Sequence, residues 1–400
     1  ARGNSPQIDA AERDLAAVGE RLPQASAGYL PQLDLSAAAG ATYEFTDTQE
    51  EGLSANTSAS LSLTQPLYRG GGTVASVDQA KLEIKAQEET VKEAEQAVLL
   101  ETASIYLDVW RDRQVLDLID QTLSLVTTEL QSVSRQQSLG AATKTDVSQT
   151  ETRLSQIEAD QIDAEAILTG SRAQFERLIG MKPGDLKPRA FDLAVPPTVD
   201  EAVAQALSQN PTLKAAGLAR LAAERTIDVI SAQYAPSVDL RSALQYFSED
   251  IQESGGQIDD DVAIARLEAR VTVPLYRGGG ATSRVREAEQ IARATERQEE
   301  DIRRRITLEA RGAWNLMTSA GERIERLQQA VETAGRVVEG TAREQQLGAR
   351  TTLDLLNARR DLLDLQTALI NVRRDQEVAK FELMAAMGQF TSNRLNLPAQ

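Results

Sequence analysis

Two hydrophobic periods alternate along the chain, and each long period begins at the same seven residues. No proline occurs between Pro66 and Pro183 or between Pro274 and Pro398, and in both intervals apolar residues recur at three- and four-residue spacing. The first series is Val91, Ala94, Val98, Ile105, Val109, Leu116, Ile119, Leu123, Val126, Leu130 and Val133, with Glu, Gln, Lys and Arg in the gaps. The second runs Ile302, Ile306, Ala313, Leu316, Ala320, Ile324, Leu327, Val331, Ala334 and Val338. A narrow apolar stripe of this kind predicts a long coiled-coil helix. From Thr73 to Leu139 such a helix runs about 100 Å at 1.5 Å per residue.

Upstream of each long helix the period falls to two. In Ala263–Leu275 the odd positions are apolar, whereas the even ones include Arg266, Glu268 and Arg270. In Pro31–Phe45 the apolar set is Leu33, Leu35, Ala37, Ala39, Ala41, Tyr43 and Phe45, and Thr57–Leu67 alternates in the same way against Ser58, Ser60, Ser62 and Thr64. Strict alternation predicts amphipathic strands. They cover about 31–46, 56–68, 236–248 and 262–276, longer than ordinary strands of about 5–6 residues. Acidic, Gly-containing loops join them, "TDTQEEGLSAN" and "SEDIQESGGQIDDD".

The joint between the two regimes is "PLYRGGG", at Pro66–Gly72 and again at Pro274–Gly280, 208 residues apart. The same offset pairs "SLGAATKTD" with "QLGARTTLD". The chain is therefore a tandem repeat. Repeat 1 spans 5–180 with a helical hairpin over 73–180, and repeat 2 spans 210–389 with a hairpin over 281–388. A Pro-rich connector covers 181–209, and 390–400 forms a tail. Gly70, Gly71 and Gly72, with Gly278, Gly279 and Gly280, give the backbone freedom that turning a strand into a helix requires. No GK[ST] follows "RGGG", so the motif is expected to serve as a joint and not as a P-loop backbone cradle. At the far end of each long helix, Gly140 and Gly348 suit the left-handed position that stops a helix. Thr143 with Asp146, and Thr351 with Asp354, have capping-box spacing for the returning arms. A further helix is expected over about Glu201–Ala232.

Composition narrows the chemistry. The 400 residues include no His and no Cys, which removes His-based acid–base catalysis, thiol nucleophiles and most metal sites. No metal or cofactor is expected. A net charge of −17 argues against nucleic acid, which needs a basic face. No apolar run approaches 18 residues, so any passage through a membrane must use strands. The chain starts "ARGNSPQID", without the basic and apolar regions of a signal peptide, as a cytosolic or a mature exported protein does.

Long amphipathic strands have two explanations: a soluble hairpin covering a helical bundle, or part of a membrane barrel. Eight of the Tyr and Phe residues lie in or beside the strands (Tyr29, Tyr43, Phe45, Tyr68, Tyr234, Tyr246, Phe247 and Tyr276), as an interfacial girdle requires. The polar face carries Arg266, Glu268 and Arg270, which suits a wet barrel lumen. Two hairpins supply only four strands, and a spanning barrel needs at least about eight, so barrel closure demands two or three chains. The rival is a soluble coiled-coil scaffold with no channel.

The order strand–strand–"QPLYRGGG"–long helix–"LGAATKTD"–return helix, repeated with "VPLYRGGG" and "LGARTTLD", resembles the TolC-like outer-membrane exit ducts. "YLPQLDLSA", "LIGM" and "AAMG" share the resemblance, which covers roughly residues 5–390. It implies an α+β membrane protein, a homotrimer whose 12-stranded β-barrel continues into an α-helical barrel. It implies a place in outer-membrane lipid, a removed signal peptide and a chain beginning partway into the family's first helix. The implied role is a non-enzymatic duct for unfolded proteins or small toxic compounds. Its implied partners are a periplasmic adaptor (membrane fusion) protein and an inner-membrane ABC or RND-type transporter. Residue by residue, Asp354 matches the first acid of the family's constriction ring, while the second falls on Asn357. Arg350 matches the basic residue that links to the neighbouring hairpin's acid, here Asp146, and Gln345 replaces the tyrosine of that lock. Leu139, Gly140, Leu347 and Gly348 match the turns that meet the adaptor.

Overall fold

The computed structural model describes residues 5–44, 52–184, 186, 195–253 and 256–391. Phe45, parts of both strand-connecting loops, much of the connector and most of the tail assigned to 390–400 lie outside the described residues. The elements follow in the order α1 (Pro6–Gly19), α2 (Arg21–Ser26), β1 (Gln32–Glu44), β2 (Gly52–Arg69), α3 (Gly72–Ser138), α4 (Lys144–Ile179), α5 (Val199–Gln209), α6 (Pro211–Ala232), β3 (Ser237–Glu253), β4 (Gly256–Thr272), α7 (Gly280–Gln346) and α8 (Thr352–Ala386). Among the described residues no helix is long and apolar enough to cross a membrane.

The chain divides into two compact units. One comprises residues 1–12, 89–214 and 301–400, the other residues 13–88 and 215–300. In the first unit the seam of α3 is buried at Val98, Ile105, Ile119, Val126 and Val133, a seven-residue series. Ile119 and Val126 pack with Ile157 and Ala164 of α4 and with Leu356 and Leu363 of α8. Nearer the hairpin base, Ile105 and Val109 pack with Leu168 and Phe175. A second core gathers Ile306 and Ala310 of α7, Ala202 and Ala206 of α5, and Phe381, Met384 and Phe390 around the end of α8. Full burial of side chains of this size is the main stabilising term, about 1.5–3 kcal/mol each.

The helix expected over about Glu201–Ala232 is two helices, α5 and α6, separated at Asn210. Pro211 excludes the helical conformation for the residue before it, and Asn210 has ψ 126°. Asn210 then starts α6, its side-chain oxygen accepting from the Leu213 N–H at 3.2 Å. Its amide donates to the Ala386 carbonyl at 2.9 Å. The stripe of α7 is buried only in part: Ala310, Ala313 and Ala320 are covered, while Leu316 stays exposed.

In the second unit the four strands make one antiparallel sheet in sequence order. The register puts all four alternations in phase. Leu33 and Leu35 share a face with Leu61 and Leu63, Leu244 and Tyr246, and Leu267 and Val271; the other face carries Asp34, Ser60, Arg241, Glu268 and Arg270. The apolar face is uncovered, with Leu35 at 76% and Leu267 at 72% exposure. The strands run 13, 18, 17 and 17 residues, with ends that differ from the expected ones. The largest difference is β4, which stops at Thr272 and leaves Val273–Arg277 outside the strand. Pro66 stays inside β2, at a bulge between Pro66 and Tyr68. The β1 register ends at Gln32↔Thr64, so through the irregularity β2 is held by β3 alone, down to Arg69↔Ser237. β4 ends opposite Ser237, the first residue of β3, and Pro274 offers no amide to continue. One heptapeptide thus takes two conformations.

Candidate functional site: hairpin tips and strand-to-helix joints

At each tip of the long hairpins the chain reverses through the same hydrogen bonds. Gly140 has φ 75°, and so has Gly348. The N–H of Ala141 donates to the Gln136 carbonyl at 2.8 Å, and that of Ala349 to Glu344 at 2.8 Å. This is the Schellman closure, which satisfies the last helical carbonyls and needs a left-handed residue at glycine. The residues before the glycines, Leu139 and Leu347, are 83% and 84% exposed. Two large apolar side chains thus stand in water at the two turns.

The returning helices start on capping boxes. Asp146 Oδ2 accepts from the Thr143 N–H at 2.9 Å and from its hydroxyl at 2.8 Å. Asp354 Oδ2 accepts from Thr351 in the same way, at 3.0 and 2.8 Å. These bonds, the backbone one foremost, hold both carboxyls below the usual carboxylate range. The remaining tip residues find partners within the chain. Arg350 pairs with Glu344 at 3.1 Å. Gln345 donates to Glu129 of α3 at 2.8 Å and to the Thr352 hydroxyl at 3.3 Å. Asn357 accepts from Arg153 of α4 at 3.2 Å. Arg360 follows it with an ion pair to Asp160 at 3.0 Å. So α8 is tied to α4 by two guanidiniums, one of which, that of Arg153, contacts Asn357.

The period-two and helical readings missed a polar network deeper in the hairpin. Asp112 falls seven residues after Ile105 and seven before Ile119, inside the apolar seam, and is 5% exposed. Ser171 donates to it at 2.5 Å and Arg111 pairs with it at 2.7 Å. Arg111 also pairs with Asp108, at 3.0 Å, and Arg374 of α8 reaches the same Asp108 at 2.8 Å. An acid at a heptad core position was the available signal.

The strand-to-helix joints use their glycines unequally. Gly70 (φ 64°), Gly71 (83°), Gly278 (61°) and Gly279 (76°) are left-handed, whereas Gly72 and Gly280 are the first residues of α3 and α7. A Cβ on Gly70 would lie 2.4 Å from the Ala235 Cβ and 2.7 Å from the Ala232 carbonyl oxygen, while Gly278 and Gly279 face open space within the chain. On the polar face of the sheet, Glu268 stands opposite Arg241 and Arg270 opposite Asp239, with Arg266 exposed beside Ala243. Asp239 is further paired with Arg69 at 3.0 Å. Among the described residues no cluster of acids is arranged to hold a metal ion.

A profile of the family described as outer membrane efflux protein matches residues 1–181 and 202–389. The chain belongs to that family. The outer membrane efflux protein BepC of Brucella suis biovar 1 is 27% identical over 339 residues, 84% of this chain and 73% of BepC. The outer membrane protein TolC of Vibrio cholerae is 26% identical over 394 residues, 97% of this chain and 89% of TolC. The crystal structure of the outer membrane protein VceC from Vibrio cholerae superposes with a TM-score of 0.83 at 20% identity, covering 97% of this chain and 94% of VceC. That likeness fixes the fold as α+β, long helical hairpins joined to a β-sheet. As an outer membrane efflux protein, the chain resides in the outer membrane of a Gram-negative bacterium.

Proposed function

We propose that three copies of this chain form a continuous duct through the outer membrane and periplasm, which carries substrates outward without chemical change. The observation that carries the reading is the sheet: one face predominantly apolar with its large side chains exposed, the other predominantly polar, and two edges, β1 and β4, each unpaired on one side among the described residues. In hydrocarbon each unsatisfied backbone group costs several kcal/mol, so such a sheet is stable in lipid only if copies close edge to edge. Three copies give twelve strands around an open pore, with Arg266, Glu268 and Arg270 on the lumen and the apolar face in lipid. The repeat division at 5–180 and 210–389 belongs to this reading, each repeat supplying one strand pair. Exposed Ile291, Leu308, Leu316 and Val337 along α7 support side-by-side association of the helices.

The helical tips act as the gate and the docking point. Asp354 and Asn357 line the constriction, and exposed Leu139 and Leu347 beside Gly140 and Gly348 meet the periplasmic adaptor, behind which stands an inner-membrane pump. In the closed trimer Arg350 exchanges its Glu344 partner for Asp146 of a neighbouring copy, whose capping bonds both fall on Oδ2. Adaptor docking favours the opened state by binding it better. Relatives named for solvent and toluene efflux and for protease secretion support small toxic compounds and polypeptides as cargo classes.

Planar-bilayer conductance tests the reading. The purified protein is expected to insert as a trimer and conduct weakly. Replacing Arg350→Ala together with Asp146→Ala is expected to raise the current several-fold, about the effect of losing one charge-assisted contact per interface. An unchanged current rules out the lock, and a monomer that conducts nothing and needs no detergent rules out the duct.

A further inference from the structure

The two copies of "PLYRGGG" bring their arginines to one cavity. Where the strands end, a space of about 540 Å³ opens among the sheet, α2, the start of α3 and the end of α6. Arg69 and Arg277, the same position of the two copies, both line it, with Gln24, Gln32, Gln233 and Thr73. Among the described residues no Asp or Glu lines it, although the chain carries 60 acidic residues against 43 basic ones. Arg69 is anchored from behind by Asp239, which is only 6% exposed. Arg277 lies 6.0 Å from the centroid of the Tyr234 ring, a contact that orients a guanidinium while leaving its charge uncompensated. One carboxylate against two guanidiniums leaves a net positive wall, supplied with amide and hydroxyl donors. The volume falls in the range of small-molecule sites, about 300–1,000 Å³.

The register assigns the side on which this cavity opens. Its strand residues Gln32, Pro66, Ser237 and Thr272 share parity with Asp34, Asp239 and Arg270, the polar face, and not with Leu33, Val238 and Val271. We propose that it is an anion-binding site on the polar side of the joint, taking a small organic phosphate or carboxylate. The donors match that chemistry: paired guanidiniums recognise planar or tetrahedral oxyanions through parallel charge-assisted hydrogen bonds. The internal duplication then has a use beyond closing a barrel, because a single copy of the motif would supply one arginine, already neutralised by Asp239. The site goes beyond the duct reading and does not depend on it, except that the duct makes the polar side a lumen.

Calorimetric titration of the purified, detergent-solubilised protein with phenyl phosphate, at fixed ionic strength, tests the site. Binding is expected in the wild type, weakened at least about tenfold in Arg277→Gln, which removes one charged donor, partly kept in Arg277→Lys, and unchanged in Arg286→Gln on the exposed side of α7. Arg277 is chosen because it is exposed and outside the strands, so its loss leaves the sheet intact. Benzyl alcohol, which lacks the phosphate, is expected not to bind. Equal binding by all variants, or none by the wild type, overturns the proposal. So does stabilisation only by phosphatidylglycerol in nanodiscs and not by phenyl phosphate, which would assign the arginines to lipid headgroups. Arg277→Gln is expected to assemble and form pores like the wild type in bilayers. A protein that binds phenyl phosphate yet forms no pore would overturn the duct and leave the site standing.

Discussion

Asp146 and Asp354 each do two jobs with one side chain: cap a helix and, in the proposed duct, face a neighbour or the pore. The capping job is fully described by geometry. Each carboxylate takes a backbone and a hydroxyl hydrogen bond from the threonine three residues before it, and the same threonine hydroxyl accepts the aspartate N–H. Replacing Thr351→Ala removes that acceptor and is expected to cost about 1 kcal/mol of local stability, the usual value for a lost N-cap. The pH dependence has a fixed sign. Both carboxyls sit below their ordinary 3.8 in the folded state. Their contribution is therefore complete above the unfolded value and is lost as pH falls through the lower folded one. Protection factors for amide hydrogen exchange at residues 351–356, taken against the intrinsic rate at each pH, are expected to fall below about pH 4, and Asp354→Asn should flatten that response. A fall that persists unchanged in Asp354→Asn would assign the acid effect to another group.

At the scale of elements, most boundaries follow from signals that local chemistry states openly. The Schellman glycines, the capping threonines and the three-glycine joints each specify a backbone geometry that only those residues adopt cheaply, and the hairpin tips end where they say. The α5–α6 break was equally legible, since Pro211 pairs with Pro6 at the start of α1 in the repeat, but the apolar pattern runs through it. Other features were hidden because they depend on which neighbour is present. The end of β4 depends on where its partner β3 begins, opposite Thr272, and the Asp112 network depends on Ser171, Arg111 and Arg374 converging from three helices. The tip contacts of Gln345 and Asn357 belong to the same class. Asn210 shows the energetic stake of such a contact. It is 5% exposed and bonds both the first turn of α6 and the Ala386 carbonyl. Asn210→Ala leaves two buried groups unmatched and is expected to destabilise the first unit by about 1–3 kcal/mol. Urea unfolding followed by Trp314 fluorescence measures it, and a change below 0.5 kcal/mol, the level of ordinary surface substitutions, would show that water replaces both bonds.

For the molecule as a whole, the sheet is the element whose meaning changes with its surroundings. In water its apolar face is an aggregation hazard and its two free edges are templates for mispairing. In a lipid-embedded ring of copies both features become requirements, because hydrocarbon wets the face and the next copy pairs the edge. Adjacent positions on β4 separate these alternatives. Leu267 lies on the apolar face and Arg266 on the polar face, one residue apart on a single strand. An arginine facing lipid near mid-membrane costs about 2–4 kcal/mol per chain, whereas a change on the lumen side alters ion preference at little cost in stability. Leu267→Arg is therefore expected to reduce the trimer recovered on refolding into phosphatidylcholine vesicles at least tenfold. Arg266→Gln should assemble normally and shift the reversal potential in a salt gradient toward cation preference, having removed a positive charge from the lumen. A soluble scaffold predicts the reverse order, since an added arginine on a water-exposed apolar face improves solubility. If Leu267→Arg refolds into vesicles as well as the wild type, the apolar face does not meet lipid and the barrel assignment falls.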